Sequence, residues 1–363
     1  MKSVKIFSDA RIQKIARLLV EHSCKIKKED TVQINAGIPA RPLILEIYRQ
    51  VILKGAYPRV NIDFKGLNYL YYNNATTEQL KRFPEIAHNE MKKTDAVIYI
   101  GAPENRYELA TIHPERLAIR SRTVKKISDE RMKKRWVIFN YPVGDFAKDS
   151  GMSFSTYKNF VFNSCLQDWN ALRKKMAKLK KIIDKGKSVR IIGKDTDLSF
   201  GIKGRLACIG DGTHNMPDGE VWTAPEENTL NGHITFTFPL IYMGREIKGI
   251  KLEFEKGKLK KASAKTNSDA LASLVNTDAG ASKIGEFGIG CNFKIQKFTK
   301  NLLFDEKIGG TVHLALGQAY KECLGKNESA IHIDLIKDLR KNSGGGKIYI
   351  DNRLIQKNGA FLI

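Results

Sequence analysis

Short apolar runs alternate with longer amphipathic segments through the first half of the chain. Helices are predicted around residues 12–19, through 43–52, from Thr76 and from Pro114. Four runs have the length and apolar content of buried strands, namely Thr31–Ala36, Arg59–Phe64, Ala96–Gly101 and Arg135–Asn140. Because strands that alternate with helices usually pair in parallel, this half is predicted to be an α/β domain with a mostly parallel sheet.

A basic amphipathic segment, residues 166–185, closes this half. One stripe of the predicted helix holds the apolar residues Leu172, Met176, Leu179 and Ile183. The surrounding lysines suit a membrane-surface or calmodulin-target helix, although a connecting helix with a solvated face is commoner. The glycine at Gly186 is typical of a helix end, so the chain is predicted to divide into an N-terminal domain, 1–187, and a C-terminal domain, 188–363.

The second half has short strands of alternating apolar and polar residues. They are predicted at Val189–Ile192, Asp197–Ile202, Arg205–Ile209, His233–Phe238, Ile250–Glu255, Lys347–Ile350 and Leu354–Gln356. Gly257 marks a hairpin after one of these strands, and one helix is predicted at Ser268–Val275. The expected fold is an α+β domain built on largely antiparallel sheet.

Composition limits the location and the redox chemistry of the protein. The chain has no apolar segment long enough to span a membrane, and the stretch MKSVKIFSDARIQKIARLLV lacks the apolar centre of a secretion signal. We therefore expect a cytoplasmic protein without a membrane partner. The cysteines are odd in number and form no C-x-x-C pair, so we interpret them as reduced and mostly structural: Cys24, Cys165, Cys208, Cys291 and Cys323.

A net charge of +23 raises the possibility of a polyanionic partner. Residues 1–187 hold 37 Lys and Arg against 19 Asp and Glu, whereas residues 188–363 hold 25 against 20. The basic runs lack interleaved aromatic residues, and the chain shows no zinc-finger, RRM-like or KH-like pattern. A solvated basic surface is therefore expected, without a specific nucleic-acid partner.

The segment Ala-Ile-His-Ile-Asp-Leu-Ile at 330–336 carries the first candidate chemistry. Its alternation is that of a strand, which places His332 and Asp334 on one face. Side chains two residues apart on a strand are about 7 Å apart at the backbone, so both can reach one cation. The plainer interpretation is an Asp that hydrogen-bonds its neighbouring His, and further ligands are needed to favour a metal site.

Further candidates lie in four other segments of the second half. Pro217 and Gly219 predict a turn that directs Glu220 from the start of a strand. Glu286 stands among three glycines, which permit close backbone approach. The remaining candidates are His313 on an apolar strand, Glu306 upstream of it and Tyr320 downstream.

These segments resemble, in sequence and in order, the metallo-aminopeptidases typified by aminopeptidase T and aminopeptidase S. The resemblance is carried by NMPDGEVWTAPEE at 215–227, GEFGIG at 285–290, HLALGQAY at 313–320 and HID at 332–334. Two shorter stretches, LQDW at 166–169 and TDLSFGIKGR at 196–205, also fit. Any one of these motifs is a weak signal, whereas the ordered set is a strong one.

The resemblance implies a site for two divalent metal ions, Zn²⁺, Co²⁺ or Mn²⁺. The implied ligands are Glu220, Glu286, His313, His332 and Asp334. Glu286 is implied as the bridging carboxylate and as a catalytic residue, and Tyr320 as a donor to the transition state. Glu306 is a possible further ligand, although the loop between Glu306 and His313 differs in length from that of some members. Carboxylates and imidazoles are donors that such ions accept.

The implied activity is removal of the N-terminal residue from short peptides by a water that the metal ions activate. A homodimer whose domains enclose the active site is also implied. Glu226 or Glu227 is a candidate for carrying a proton to the leaving amine, or a surface charge. His214 and His233 lie near the motifs and are interpreted as structural or loop histidines.

Two other functions stay open at this stage. His313, His332 and Asp334 alone form a two-histidine, one-carboxylate set, and a mononuclear non-haem Fe(II) ring-cleaving dioxygenase is similar to this family. The second alternative is a non-enzymatic polyanion-binding protein that uses the basic first half.

Overall fold

The structure, a computed structural model, describes residues 9–363. Residues 1–8, which belong to the segment without the pattern of a secretion signal, lie outside the described residues. The chain forms two compact units. The first runs to Gln167 and includes Gly212–Pro217, and the second comprises Asp168–Asp211 and Asp218–Ile363. The folding domains 1–187 and 188–363 stay a prediction, and the helix that follows Gln167 belongs to the second unit.

The described helices and strands, in chain order, have the following bounds. The helices are α1 (Ala10–Arg17), α2 (Arg41–Leu53), α3 (Leu67–Asn74), α4 (Thr77–Lys81), α5 (Glu85–Lys93), α6 (Pro114–Met132), α7 (Gly144–Asp149), α8 (Phe154–Cys165), α9 (Trp169–Lys185), α10 (Ser268–Val275) and α11 (Leu302–Asp305). The strands are β1 (Thr31–Gly37), β2 (Tyr57–Asp63), β3 (Ala96–Gly101), β4 (Arg135–Asn140), β5 (Ser188–Gly193), β6 (Thr196–Gly201), β7 (Cys208–Gly210), β8 (Asn215–Met216), β9 (Glu220–Thr223), β10 (Asn231–Thr235), β11 (Leu240–Tyr242), β12 (Arg245–Ile247), β13 (Lys251–Glu255), β14 (Lys258–Ser263), β15 (Ile284–Gly290), β16 (Thr311–Gly317), β17 (His332–Asp338), β18 (Gly346–Ile350), β19 (Arg353–Lys357) and β20 (Ala360–Phe361).

The first unit is built on a parallel sheet. Its strand order is β2-β1-β3-β4-β8, and every neighbouring pair is parallel. The apolar runs that predicted β3 and β4 give the observed bounds, because β3 is buried over most of its length and β4 buries alternate residues, Val137 and Phe139. The α/β prediction for this half is confirmed.

Helix α8, which lies between β4 and residue 166, was not predicted from the sequence. Ser153 caps this helix by accepting a hydrogen bond from the backbone N–H of Thr156. Tyr157, Val161 and Phe162 are buried on one face of it. The spacing of these residues, with polar residues between them, is that of an amphipathic helix, so the signal was present in the sequence.

The second unit consists of antiparallel sheets packed around one core. An eight-stranded sheet has the order β14-β13-β10-β6-β5-β18-β19-β20, and a five-stranded sheet has the order β17-β16-β15-β9-β7. The ring of Phe200 on β6 meets that of Phe287 on β15 edge to face, with centroids 5.1 Å apart. The apolar stripe of α9 is buried in the same core. The prediction of an α+β half with antiparallel sheet is confirmed.

Two local predictions in this unit had different outcomes. Lys256 and Gly257 both adopt left-handed backbone angles and join β13 to β14, which confirms the hairpin. The strand predicted from Arg205 was wrong at its start, because β7 begins only at Cys208. The backbone turns there, and the Arg205 side chain donates to the carbonyl of Leu324.

Each described helix is too short or too polar to cross a membrane. The five cysteines are free thiols, and four of them are buried.

Candidate metal centre

Four adjacent strands of the five-stranded sheet carry the predicted ligands. Glu220 opens β9, Glu286 lies on β15 and His313 on β16. His332 and Asp334 lie two residues apart on β17, as their alternation predicted. The sheet therefore brings together side chains that are separated by more than a hundred positions along the chain.

Strand register places two of the acidic candidates, Glu286 and Asp334, in one row. Ala315 on β16 is paired with Glu286 on one side and with Asp334 on the other. Residues paired across antiparallel strands project from the same face, so the two carboxylates lie on either side of a single methyl group. A larger residue at Ala315 would separate them.

The turn before β9 directs Glu220 into the sheet. Gly219 adopts a φ of +116°, which favours glycine, and a Cβ added there would lie 2.7 Å from the Cβ of Asn292. The strand begins at the next residue, as the sequence pattern predicted. Backbone conformation thus fixes where this carboxylate starts.

The ligand atoms form two groups that share Glu286. In the first group, Nε2 of His313 lies 3.0 Å from Oε1 of Glu286 and 3.4 Å from Oε2 of Glu220. In the second, Nε2 of His332 lies 3.5 Å from Oε2 of Glu286 and 3.8 Å from Oδ1 of Asp334. The candidate ligand atoms of each group all lie within 4.8 Å of one another, a spacing that suits one cation per group.

Neighbouring groups orient His332. Its Nδ1 donates to the backbone carbonyl of Gln318 across 2.7 Å, which leaves the Nε2 lone pair directed at the carboxylates. The ring of Tyr320 packs on its other side, with centroids 4.8 Å apart, and Trp222 contacts Tyr320 edge to face. These contacts hold the imidazole in a geometry that suits a metal ligand.

The electrostatics of the site favour a cation. Burial, with the charge of Asp334 nearby, raises the pKa of Glu286. Burial alone would lower the pKa of His313, but the hydrogen bond to Glu286 and the charge of Glu220 outweigh it and raise the pKa to about 9. Without a metal, a proton on His313 therefore supplies positive charge that a divalent ion would replace.

Unpaired oxygens test whether these residues suit a metal ion. Oε2 of Glu220, Oε2 of Glu286 and Oδ1 of Asp334 are buried and accept no hydrogen bond from the described residues, although a histidine Nε2 lies 3.4, 3.5 and 3.8 Å from them, respectively. Buried carboxylate oxygens without a hydrogen bond carry a large desolvation cost. Divalent cations would satisfy all three, so the donor set fits the metal chemistry implied above.

Lys307 is the residue of the site that the sequence analysis missed. Its side chain is fully buried, and its Nζ lies 3.2 Å from Oε1 of Glu220 and contacts Oε1 of Glu306. Glu306 belongs to neither ligand group found among residues 9–363. Lysines are mostly exposed, and this one follows two acidic residues, so only the three-dimensional contact identifies it.

Other candidate residues are engaged elsewhere. Glu226 accepts from the backbone N–H of Lys203, and Glu227 pairs with Arg205 at 2.7 Å. In the first unit, the ring of His214 packs on Trp136, with centroids 4.7 Å apart. His233 lies on β10, opposite Glu253. Both histidines fall outside the two ligand groups of the described chain.

Two groups of carboxylates and imidazoles on one sheet, each of which could hold a metal ion, suit a metal-dependent hydrolase. A family model described as thermophilic metalloprotease (M29) matches residues 8–361. The chain belongs to that metalloprotease family, which confirms the family and the enzyme class predicted from the motifs.

Similar proteins agree with this assignment. Aminopeptidase 2 of Geobacillus stearothermophilus is 24% identical and covers 90% of this chain and 92% of its own. Aminopeptidase T of Thermus aquaticus is 31% identical over a shorter match, 39% of this chain and 40% of its own. The solved structure of wild-type AmpT from Thermus thermophilus superposes with a TM-score of 0.84 at 22% identity, covering 97% of this chain and 99% of that one. This last likeness confirms the fold.

Proposed function

We propose that this metalloprotease is an aminopeptidase that removes the N-terminal residue of short peptides with the help of two divalent metal ions. The names of its similar proteins, aminopeptidases 2 and T, support the reaction. The two ligand groups support the number of ions. Zn²⁺, Co²⁺ and Mn²⁺ all suit carboxylate and imidazole donors.

The proposal rests on Glu286, which belongs to both ligand groups. One of its oxygens faces His313 and the other faces His332. A carboxylate with its oxygens directed at different imidazoles suits a bridge between two cations. When bound there, the cations would supply an activated water and polarise the scissile carbonyl.

Residues of the chain would perform the remaining tasks. Partial burial and the nearby carboxylates raise the pKa of Tyr320, so its phenol stays protonated and can donate to the oxyanion as it forms. With the carboxylates of Glu220, Glu286 and Asp334 engaged as ligands, a free amine at the substrate N-terminus would bind through its nitrogen lone pair to one of the cations they hold. An acetylated amine lacks that lone-pair donor.

Turnover of aminoacyl 4-nitroanilides tests the proposal. The wild-type protein should release nitroaniline, lose this activity with a chelator and regain it with Zn²⁺, Co²⁺ or Mn²⁺. N-acetylated versions of the same substrates should be inert, and Glu286→Gln should be inactive on both. Chelator-insensitive turnover, or equal turnover of acetylated substrates, would contradict the proposal.

The geometry does not favour the mononuclear Fe(II) dioxygenase. That alternative needs His313, His332 and Asp334 around one ion. Within the described part of the chain, each ligand group contains one imidazole, and Asp334 accompanies only His332. Metal analysis of the purified protein before chelation tests it, since a dioxygenase would hold about one iron per chain and consume O₂.

A further inference from the structure

Lys307 distinguishes two ligand groups that are otherwise matched. The first offers two carboxylates and one imidazole, Glu220, Glu286 and His313. The second offers the same donor types, Glu286, His332 and Asp334. Donor chemistry alone therefore predicts similar affinities for a divalent ion. In the described part of the chain, a buried ammonium pairs with a carboxylate of the first group, Glu220, and not with one of the second.

The contacts of Lys307 show what this ammonium does without a metal. It is fully buried, so its charge is stable only if carboxylates neutralise it. Glu220 and Glu306 provide that charge from two sides. Lys307 thus holds one oxygen of Glu220 and leaves the other, Oε2, for a ligand role. It also engages Glu306, which lies outside both ligand groups of the described residues.

We propose that Lys307 competes with a metal ion for the carboxylate of Glu220. This competition makes the group of Glu220, Glu286 and His313 the weaker of two metal sites. The proposal rests on the two-metal function above. The positive charge of Lys307 beside Glu220 repels an incoming cation, and its ammonium occupies one oxygen of the Glu220 carboxylate. Within residues 9–363, no lysine or arginine pairs with the carboxylate of Asp334, and the ion pairs of Glu286 are with the two histidines.

Calorimetric titration of Co²⁺ into chelator-stripped protein tests this assignment. Wild type should take up two equivalents with unequal affinity. Lys307→Met should tighten the weaker equivalent about tenfold or more by removing the competing charge, and leave the tighter one unchanged. Lys337→Met is the matched control. Its buried Nζ contacts the carbonyl of Lys194 rather than a carboxylate, and both affinities should stay as in wild type.

A double variant keeps the test decisive if Lys307→Met does not fold. E306Q/K307M removes both members of the buried pair, an exchange that proteins often tolerate. It too should tighten the weaker equivalent. Unchanged or weakened binding in the double variant would overturn the assignment, and weakened binding would point to Glu306 as a ligand. Fewer than two equivalents in wild type would instead refute the two-metal function.

Discussion

Gly288 lies directly opposite His313 on the neighbouring strand, and a Cβ on this glycine would lie 2.0 Å from the imidazole Nε2. Real Cβ atoms do not approach other atoms so closely, so the imidazole occupies the space of the missing side chain. The second glycine of the GEFGIG motif is thus a requirement of the ligand beside it. The motif encodes a carboxylate and the space for a histidine.

The first prediction concerns Gly288→Ala. The new methyl group would displace the His313 ring, at a cost of about 1–3 kcal/mol in the free energy of unfolding. Because the displaced ring no longer faces Glu286, metal affinity should fall about 10–100-fold, as it does when groups that orient ligands are lost. Thermal unfolding and metal titration measure the two effects.

Gly144→Ala is the control for that variant. A Cβ at Gly144, in the first turn of α7, would meet nothing within 4 Å. Metal affinity should stay at the wild-type level, and stability should stay the same or rise slightly, because alanine favours a helix more than glycine does. Wild-type metal affinity in Gly288→Ala would show that the ring does not need the glycine.

A second prediction separates the shared ligand from an unshared one. Glu286→Gln removes a charge from both groups, so both metal equivalents should be lost or greatly weakened, and activity should fall at least about a hundredfold. Glu220→Gln affects one group and should leave one equivalent bound. Metal content after dialysis, measured by mass spectrometry, distinguishes them. Equal metal loss in the two variants would argue against a shared Glu286.

A third prediction concerns metal removal. The buried carboxylate oxygens repel one another without a cation, so chelation should lower the melting temperature. A free metal concentration a hundred times the dissociation constant should restore about 2.7 kcal/mol of stability per independent site. Calorimetric melting with and without Zn²⁺ measures the difference. The gain in stability on adding metal should be smaller in Glu286→Gln than in wild type. A gain as large as that of wild type would show that the metal binds elsewhere.

A fourth prediction is a pH dependence at the end of β17. Asp338 is buried and accepts hydrogen bonds from Arg340 and Ser343. Burial opposes its ionisation, but the bonds from Arg340 outweigh this and lower the pKa of Asp338 below the ordinary value of 3.8. A carboxylate whose pKa is lower in the folded protein than in the unfolded chain stabilises the fold at every pH above the unfolded-chain pKa. That stabilisation is lost as the pH falls through the lower, folded-state pKa.

Asp338→Asn should therefore lower the free energy of unfolding by about 1–3 kcal/mol above pH 5, and the difference from wild type should narrow below pH 4. Denaturant unfolding across this range measures it. The exposed Asp269, which pairs with Arg245, provides the comparison, and Asp269→Asn should have little effect. If the difference in free energy of unfolding between Asp338→Asn and wild type does not change with pH, the charge of Asp338 is not the cause of the stabilisation.

The parts of the fold that the sequence predicted depend on local patterns. The bounds of β3, β4 and α10 follow from periodicity, because buried runs and helical stripes are visible in the order of residues. The candidate ligands were also named from motifs on single strands. Strand register was not, since the placement of Ala315 between Glu286 and Asp334 depends on how three separate strands align.

Two further features needed coordinates for a different reason. Lys307 has the sequence context of a surface lysine, and only its partners show that it is buried. Strand β8 returns to the sheet of the first unit after α9 and three strands of the second. A segment of two residues carries no periodicity, so long-range pairing alone defines it.

Anomalous diffraction from crystals grown with Co²⁺ or Zn²⁺ is the most direct test of the two-metal centre. We predict two metal peaks about 3.5–4 Å apart. Glu286 should lie between them, with His313 beside one peak and His332 beside the other. A single peak, or two peaks that do not both contact Glu286, would contradict it.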